Sequence, residues 1–370
     1  MIYLDNAATS YLKPVCVQQA VLNAMRTMSS PGRGAYAPAM QAAEMIFDCR
    51  CIAADLFGVE NAENVVFTSN ASHSLNIAVN SLATQGCKVL VSGFEHNSVI
   101  RPLRALGAKL EIAGRKLFNK NDVLNDFSDK IKYSDFVICT HVSNVFGYIL
   151  PIYDISKICM QYNKPLIIDA SQSAGVLEIN SKELNAAFIA MPGHKGLMGL
   201  QGTGILICNH DTTPFIHGGS GSDSKNQFMP DYLPDRLEAG THNVPGIAAL
   251  KAGIEFINQK GLHDIKKYEL NLLTEMINQL KNTKFELFYG EDQLGVLSLR
   301  HPAMDCESIA EILAENNICV RAGMHCAPLA HKSADTLDSG TVRFSFSLFN
   351  TLEEIINVCE LLKSLDTQII

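Results

Sequence analysis

The stretch Met191-Pro-Gly-His-Lys-Gly-Leu-Met-Gly-Leu-Gln-Gly202 places a single lysine, Lys195, between two apolar runs of β-strand character, 187–190 and 203–208. The glycines around this lysine let the backbone approach a ligand closely, because glycine carries no side chain. A lone lysine in this setting favours an amine nucleophile at the end of a strand. A glycine-rich β-hairpin with an exposed lysine is the alternative that the stretch alone leaves open.

Length and composition limit the class of protein. A chain of 370 residues that is 47% hydrophobic and 18% charged is expected to be globular and to fold as two domains. The net charge of −8 argues against a dedicated nucleic-acid surface. The first residues lack the pattern of a signal peptide, and no run is long enough to cross a membrane. We therefore expect a cytoplasmic protein.

The cysteines carry no pattern of a disulfide framework or a metal site. Eleven of them are scattered along the chain, which fits reduced thiols in the cytoplasm. We find no CxxC and no histidine pair at metal-binding spacing, so no metal is expected. The motif Cys49-Arg-Cys51 is interpreted as part of a helix, without a role of its own.

From about residue 63, short apolar runs alternate with helical stretches. Because a strand that is covered on both faces reads as a continuous apolar run, this alternation predicts an α/β domain with a mostly parallel sheet. The predicted strands are 65–68, 88–91, 110–112, 136–140, 165–169, 188–190 and 204–208, and the predicted helices are 72–85, 97–106, 121–131 and 151–162.

A segment rich in glycine, serine, aspartate and proline, 211–245, follows and is expected to form a long functional loop. Beyond it we predict a smaller α+β domain. Its elements are helices 246–259, 263–281, 305–316 and 351–364 and strands 285–288, 296–299, 318–320 and 342–346. The chain is thus divided into a large domain, 21–250, a small domain, 251–370, and an N-terminal segment, 1–20. That segment and a helix over 14–28 are expected to pack on the small domain.

Polar residues follow the predicted strands, where ligands bind in open α/β sheets. After strand 65–68, the run Ser69-Asn-Ala-Ser72 opens a helix whose free N–H groups suit one phosphate, although simple capping by Ser69 or Asn70 is the alternative. His96 follows strand 88–91, where an imidazole can lie on an aromatic ring or move a proton. A capping or core role for this histidine also stays open.

Two further strand ends carry an amide and a carboxylate. Asn144 follows strand 136–140, and Asp169 ends strand 165–169. A carboxylate at the end of an apolar strand requires a cation or a donor, and a protonated ring nitrogen is one such partner. A lysine, an aspartate for a pyridinium nitrogen and a helix N-terminus for one phosphate together describe a pyridoxal phosphate site.

The chain resembles, almost from end to end, the class V aminotransferase family of fold type I pyridoxal phosphate enzymes, and within it the cysteine desulfurases. The short loop that ends in Cys326 is similar to that of the SUF-type (group II) branch. The motifs that carry the resemblance are Tyr3-Leu-Asp-Asn-Ala-Ala-Thr9, Arg33-Gly-Ala, Glu95-His96, Ser143-Asn144, Asp169-Ala-Ser-Gln172, Gly193-His-Lys195, Glu238-Ala-Gly-Thr241, Arg321-Ala-Gly-Met-His-Cys326 and Arg343-Phe-Ser-Phe-Ser347.

The resemblance implies a role for each residue of the cofactor site. Lys195 bonds covalently to the cofactor, and His96 stacks on its ring. Asp169 pairs with the ring nitrogen, and Gln172 contacts the ring hydroxyl. The phosphate is held by Ala71, Ser72 and His194, and Thr241 reaches it from the partner subunit of a homodimer. The chain departs from the family pattern at Pro192, Tyr36, Ala71 and His73. These departures leave the exact substrate open.

The resemblance also implies how L-cysteine is converted to L-alanine. Asn144 and Arg343 receive the substrate carboxylate, and Lys195 removes the Cα proton. Cys326 accepts the sulfur as a persulfide and passes it to an unidentified acceptor protein, for example in iron–sulfur cluster assembly. Arg321 and His325 are expected to be the cations that ionise the Cys326 thiol.

Several alternatives remain at the level of sequence. Cys326 is also compatible with a buried cysteine in a turn. A selenocysteine lyase or another β-eliminating lyase of the same family would not need Cys326. A class V aminotransferase would exchange keto acids, and a non-catalytic scaffold would only dock iron–sulfur assembly proteins.

Overall fold

The computed structural model describes residues 1–32 and 34–368. Its strands are β1 (Ile2–Tyr3), β2 (Val65–Thr68), β3 (Lys88–Ser92), β4 (Lys109–Ala113), β5 (Phe136–Thr140), β6 (Leu166–Asp169), β7 (Phe188–Pro192), β8 (Gly204–Cys208), β9 (Glu286–Phe288), β10 (Val296–Arg300), β11 (Ile318–Cys319), β12 (Arg321–Gly323) and β13 (Thr341–Ser345). Its helices are α1 (Val15–Thr27), α2 (Ala37–Phe57), α3 (Ala71–Leu82), α4 (Asn97–Ala105), α5 (Lys120–Lys130), α6 (Ile152–Gln161), α7 (Ser181–Leu184), α8 (Val244–Lys260), α9 (Leu262–Leu280), α10 (Cys306–Glu315), α11 (Pro328–Ser333) and α12 (Leu352–Gln368).

The large sheet has the strand order β2-β8-β7-β6-β5-β3-β4. The strands from β4 to β7 are parallel, whereas β8 is antiparallel to both of its neighbours. Every residue of β5, β6 and β7 is buried, as expected for strands that are covered on both faces. The predicted α/β fold with a mostly parallel sheet is therefore confirmed. Because β3, β5 and β6 are parallel, the residues that follow them meet at one edge of the sheet.

The stretch around Lys195 joins two antiparallel neighbours, β7 and β8. The stretch is therefore a hairpin, as in the alternative that the sequence left open. Lys195 nevertheless lines a cavity, as the functional interpretation requires, and is not an exposed loop residue. Its glycines are required by close packing. A side chain at Gly196 would collide with the carbonyl oxygen of Ala174, and one at Gly193 would collide with Thr203.

The smaller sheet is antiparallel, with the order β12-β13-β10-β9, and packs its apolar face against α9, α10 and α12. The strand predicted over 318–320 is present as β11, but sequence reasoning missed the second strand, β12, that follows it directly. β11 pairs with the N-terminal strand β1, while β12 pairs with β13. The N-terminal strand is thus part of the smaller unit.

The predicted helix over 14–28 is present as α1, but it does not pack on the smaller unit. Val17 of α1 packs against Ala249 and Ala252 of α8, because these small side chains allow the two helices to approach closely. The predicted domain boundary at residues 250 and 251 falls inside α8, which is continuous from Val244–Lys260. Most buried side chains of α8 belong to the core of the larger unit.

Sequence reasoning did not outline α2, although it placed Cys49-Arg-Cys51 on a helix. The helix is confirmed, and Cys49 and Arg50 are buried on its inner face. It ends at Gly58, whose φ of 61° is the left-handed conformation that commonly terminates helices. All eleven cysteines of the sequence are unpaired in the structure. Within residues 1–32 and 34–368, no helix has the length and apolar character needed to cross a membrane.

Glu269 of α9 contributes a pH dependence to stability. Its carboxyl is buried beside Gly295 and accepts no hydrogen bond from the described part of the chain, and this burial raises its pKa to about 8. Between the ordinary pKa of 4.5 and pH 8, the unfolded chain has released this proton while the folded chain retains it. The free energy of unfolding therefore falls as pH rises through this window, by up to about 1.4 kcal/mol per pH unit.

We expect Glu269→Gln, which cannot ionise, to lose this component of the pH dependence. Relative to the wild type, the variant should become progressively more stable between pH 5 and pH 8, as measured by urea unfolding. Glu360→Gln replaces an exposed carboxyl on α12 and serves as the control. If the free energies of unfolding of the wild type and Glu269→Gln change with pH in parallel, the prediction is contradicted.

Candidate active site

Lys195 lies in a cavity at the edge of the large sheet. Burial lowers the pKa of its amine to about 8; the charges of Arg343 and Arg321 also lower the pKa, while those of Asp169 and Asp5 raise it. A sizeable fraction of the amine is therefore neutral near pH 8. A neutral amine has the free electron pair that a nucleophile or a general base requires.

Asp169 ends β6 and is 3% exposed. Its Oδ1 accepts hydrogen bonds from the backbone N–H of Ser171 at 2.9 Å and from the Ser171 hydroxyl at 2.5 Å. Its Oδ2 has no hydrogen-bond partner among the residues that the structure describes. The second oxygen is thus available for a donor that enters the cavity.

The N-terminus of α3 borders the same cavity. Asn70 caps this helix, since its Oδ1 accepts a hydrogen bond from the backbone N–H of His73 at 2.9 Å. The N–H groups of Ala71 and Ser72 have no partner inside the helix and are available to an anion. The Ser72 hydroxyl shares a 2.7 Å hydrogen bond with Ser98. Capping and anion binding, which the sequence left as alternatives, are both compatible with this end.

His96 follows β3 and lines the cavity as well. Its Nδ1 accepts a hydrogen bond from the backbone N–H of Ser98 at 3.0 Å, so this histidine also caps α4. Burial lowers its pKa, and Nε2 is the nitrogen left to carry the proton of the neutral ring. The preceding Glu95 accepts a 2.7 Å hydrogen bond from the backbone N–H of Thr140, and this contact fixes the loop to β5.

Two more cavity residues are held by the N-terminal segment. Nδ1 of His194 lies 3.0 Å from the Thr9 hydroxyl, and Nε2 of Gln172 donates to the Ala7 carbonyl at 3.0 Å. Burial lowers the pKa of His194 to about 4, with further lowering by Lys195 and Lys13. The ring is therefore neutral at pH 7, and it can offer a phosphate a hydrogen bond but no positive charge.

Arg343 of β13 is 2% exposed and lies between Asn144 and Asp5. Its Nη1 donates to the Asn144 carbonyl at 3.0 Å, and its Nη2 donates to Asp5 Oδ1 at 2.6 Å. Its Nε is buried and has no hydrogen-bond partner within the described residues. Sequence reasoning assigned no role to Asp5, although the residue belongs to the N-terminal motif.

Cys326 is exposed, which excludes the buried core position that the sequence left open. Its loop is fixed from two sides, because the backbone N–H of Asn97 donates to the Cys326 carbonyl at 2.7 Å and the Asn144 amide donates to the His325 carbonyl at 2.8 Å. Both His325 and Cys326 have positive φ angles, 47° and 56°, so a tight turn presents the thiol.

One expectation for this loop is wrong. His325 was expected to be a cation beside Cys326, but it is buried against His331, with ring centroids 5.6 Å apart. This burial, together with the charge of Arg343, lowers the pKa of His325 well below its usual range. The ring is therefore neutral, and Arg321 is the cation of the motif.

The cavity, of about 130 Å³, brings together most of the predicted residues. Those that line it are Ala71, Ser72, His96, Asn144, Asp169, Gln172, Pro192, His194 and Lys195. Thr241 instead lines a separate cavity of about 270 Å³, which also contains His73. Tyr36 is exposed at the start of α2, and Arg33 lies outside the described residues.

The chain is similar to known proteins along almost its whole length. A family model described as aminotransferase class-V matches residues 2–358. A probable cysteine desulfurase of Pyrococcus abyssi is 33% identical over 96% of this chain and 92% of the relative, and one of Methanothermobacter thermautotrophicus is 32% identical over the same shares. The apo structure of a cysteine desulfurase from Thermococcus onnurineus NA1 superimposes with a TM-score of 0.92 at 33% identity, covering 99% of this chain and 95% of that one.

Proposed function

The chain belongs to the class V aminotransferase family, and we propose that it is a pyridoxal-phosphate-dependent cysteine desulfurase. It converts L-cysteine to L-alanine and leaves the sulfur as a persulfide on Cys326. The observation that carries this proposal is the exposed Cys326, in a loop hydrogen-bonded to Asn97 beside His96 and to Asn144.

The cavity fits pyridoxal phosphate at three points. Lys195 offers an amine with a pKa of about 8, which can bond to the aldehyde of the cofactor. Asp169 keeps one carboxylate oxygen without a partner in the described chain, which suits a protonated ring nitrogen. The N–H groups of Ala71 and Ser72 suit the phosphate. His96, Gln172 and His194 complete the set of residues that would hold the cofactor.

Bound there, the cofactor would supply an acceptor for the electrons of the Cα–H bond. Arg343 and Asn144 bind the carboxylate of cysteine, and the unpartnered Nε–H of Arg343 is a donor available for it. Lys195 acts as the general base that takes the Cα proton. We infer that the sulfur of the substrate faces the loop of Cys326, because Asn144 also donates a hydrogen bond to the His325 carbonyl in that loop.

Cys326 then transfers the sulfur. Its thiolate attacks the sulfur of cysteine, so that an S–S bond forms and the S–Cβ bond breaks. The electron pair of the broken bond remains on Cβ, which takes up a proton and becomes the methyl group of alanine. Lys195 returns the proton to Cα, so that alanine is complete. The step is balanced without an added oxidant or reductant. Since Cys326 is exposed, an acceptor protein in the cytoplasm can take the persulfide sulfur from it.

The purified protein, supplied with pyridoxal phosphate, tests this function. We expect it to be yellow and to release sulfide and alanine in equal amounts from L-cysteine in the presence of a thiol reductant. Exchange of amino groups between amino acids and keto acids, without release of sulfide, would instead identify an aminotransferase.

A homodimer is proposed, with Thr241 of one subunit contacting the phosphate bound by the other. Two observations support it. Thr241 lines a different cavity from Lys195 in the same chain, and α1 and α2 expose large apolar side chains that include Met25, Met40 and Phe47. Such side chains are suited to burial in an interface.

We expect a dimer by sedimentation velocity at micromolar concentration. Thr241→Val should remain dimeric but bind the cofactor about ten- to hundredfold more weakly, because one hydrogen bond to a charged phosphate is lost. Thr213→Val, a substitution outside both cavities, is the control. A fully active monomer would rule out the shared site.

A further inference from the structure

Asp5 joins two arginines of the smaller sheet, Arg321 and Arg343. Its Oδ1 accepts a hydrogen bond from Arg343 Nη2 at 2.6 Å, and its Oδ2 lies 3.1 Å from both Nε and Nη2 of Arg321. Asp5 is only 8% exposed and forms a backbone bridge with Ser345. Asp5, which belongs to the N-terminal motif, thus supplies the negative charge beside two strands of the smaller sheet that each carry an arginine.

The arrangement of the strands explains why an anion is needed there. Arg321 of β12 and Arg343 of β13 are directly opposite each other in the antiparallel register. Like charges in this position repel each other, and burial of Arg343 makes an uncompensated charge costly. One carboxylate that contacts both guanidinium groups compensates for this repulsion.

The contacts of Arg343 leave part of its guanidinium free. Asp5 and the Asn144 carbonyl each hold one terminal nitrogen, whereas the buried Nε has no partner among the described residues. A guanidinium that is fixed by one carboxylate can bind a second one with little further loss of conformational freedom. Arg343 is linked to the cavity of Lys195 through Asn144, which lines that cavity and whose carbonyl accepts a hydrogen bond from Arg343.

We propose that Asp5 is a positioning residue for substrate binding. It orients Arg343 toward the carboxylate of the substrate, and through Arg321 it fixes the strand that leads to Cys326. This inference rests on the proposed function, because it takes Arg343 as the group that binds the carboxylate of cysteine. Asp5 itself contacts neither the substrate nor the cofactor.

Asp5→Asn removes the charge and keeps the shape of the side chain. Its amide oxygen can accept from one guanidinium, but its NH₂ group then faces the other, donor against donor. We expect the KM for L-cysteine to rise about tenfold to a hundredfold, as for loss of a charged hydrogen bond, and kcat to change less than about threefold. Asp5→Glu, which keeps the carboxylate, should restore most of the affinity.

Two thiol ligands separate this role from general damage to the site. 3-Mercaptopropionate has a carboxylate but no amine, and cysteamine has an amine but no carboxylate. Titration calorimetry of the holoenzyme measures both affinities. Asp5→Asn should weaken the binding of 3-mercaptopropionate at least tenfold and the binding of cysteamine less than about twofold. Asp48→Asn, which breaks a surface ion pair with Lys251, is the matched control and should change neither.

Equal weakening of the binding of both ligands would overturn the proposal, because it indicates a structural role. Unchanged or tighter binding of 3-mercaptopropionate would also overturn it, because it indicates that Asp5 competes with the carboxylate of the ligand. Should Asp5→Asn fail to fold, Asp5→Ser removes the charge without placing an NH₂ group against a guanidinium, and the same contrast is expected. Failure of the proposed function is distinguishable, because it appears as absence of sulfide release by the wild type, whereas the two-ligand comparison needs no turnover.

Discussion

Lys195→Ala is expected to abolish the near-visible absorbance of the covalently bound cofactor and to reduce sulfide release by about four orders of magnitude or more. The reason is that one amine serves both as the point of attachment and as the base that removes the Cα proton. The lowered pKa of about 8 suits it to both tasks, since a lysine at its ordinary value would be almost fully protonated at neutral pH.

Lys13 is the matched control for this substitution. Burial also lowers its pKa to about 8, and its amine lies 3.1 Å from the His194 carbonyl, yet it does not line the cavity of Lys195. Lys13→Ala should therefore retain the absorbance and most of the activity. Borohydride reduction followed by peptide mapping should place the cofactor on Lys195. Recovery of the cofactor on Lys13 or any other lysine would refute the assignment.

Much of this site could be predicted from the sequence because the geometry of a parallel sheet is regular. Parallel strands end at the same edge, so the residues after β3, β5 and β6 had to converge. The structure accordingly places His96, Asn144 and Asp169 in one cavity with Lys195. The resemblance to class V aminotransferases, drawn from the same motifs, is confirmed by the family match.

The contacts that the sequence did not reveal all join distant segments. Asp5 and Arg343 are 338 positions apart, and no periodic pattern relates them. The neutrality of His325 depends on its burial against His331, which composition does not indicate. The packing of α1 on α8 depends on the small side chains Ala249 and Ala252, which are more than 200 positions from α1 in the sequence.

The second large effect is expected for Cys326→Ser. The variant should bind the cofactor and keep its oligomeric state, because the contacts that fix the loop use the backbone carbonyls of Cys326 and His325 and leave the thiol free of a structural task. Sulfide release from cysteine should nevertheless fall by roughly three orders of magnitude or more, since a hydroxyl at this position is a poor nucleophile toward sulfur.

The exposed Cys16 provides a matched control for Cys326, because it too presents an accessible thiol but lies on α1. After brief exposure to L-cysteine, mass spectrometry should find one added sulfur on Cys326 in both the wild type and Cys16→Ser, and none in Cys326→Ser.

In Cys326→Ser, activity on selenocysteine should fall less than activity on cysteine, because a selenol leaves without a nucleophilic thiol. A sulfur-acceptor protein should stimulate the wild type and leave Cys326→Ser unchanged. If Cys326→Ser desulfurates cysteine at nearly the wild-type rate, the thiol has no part in the reaction, and a lyase or aminotransferase activity takes the place of the desulfurase.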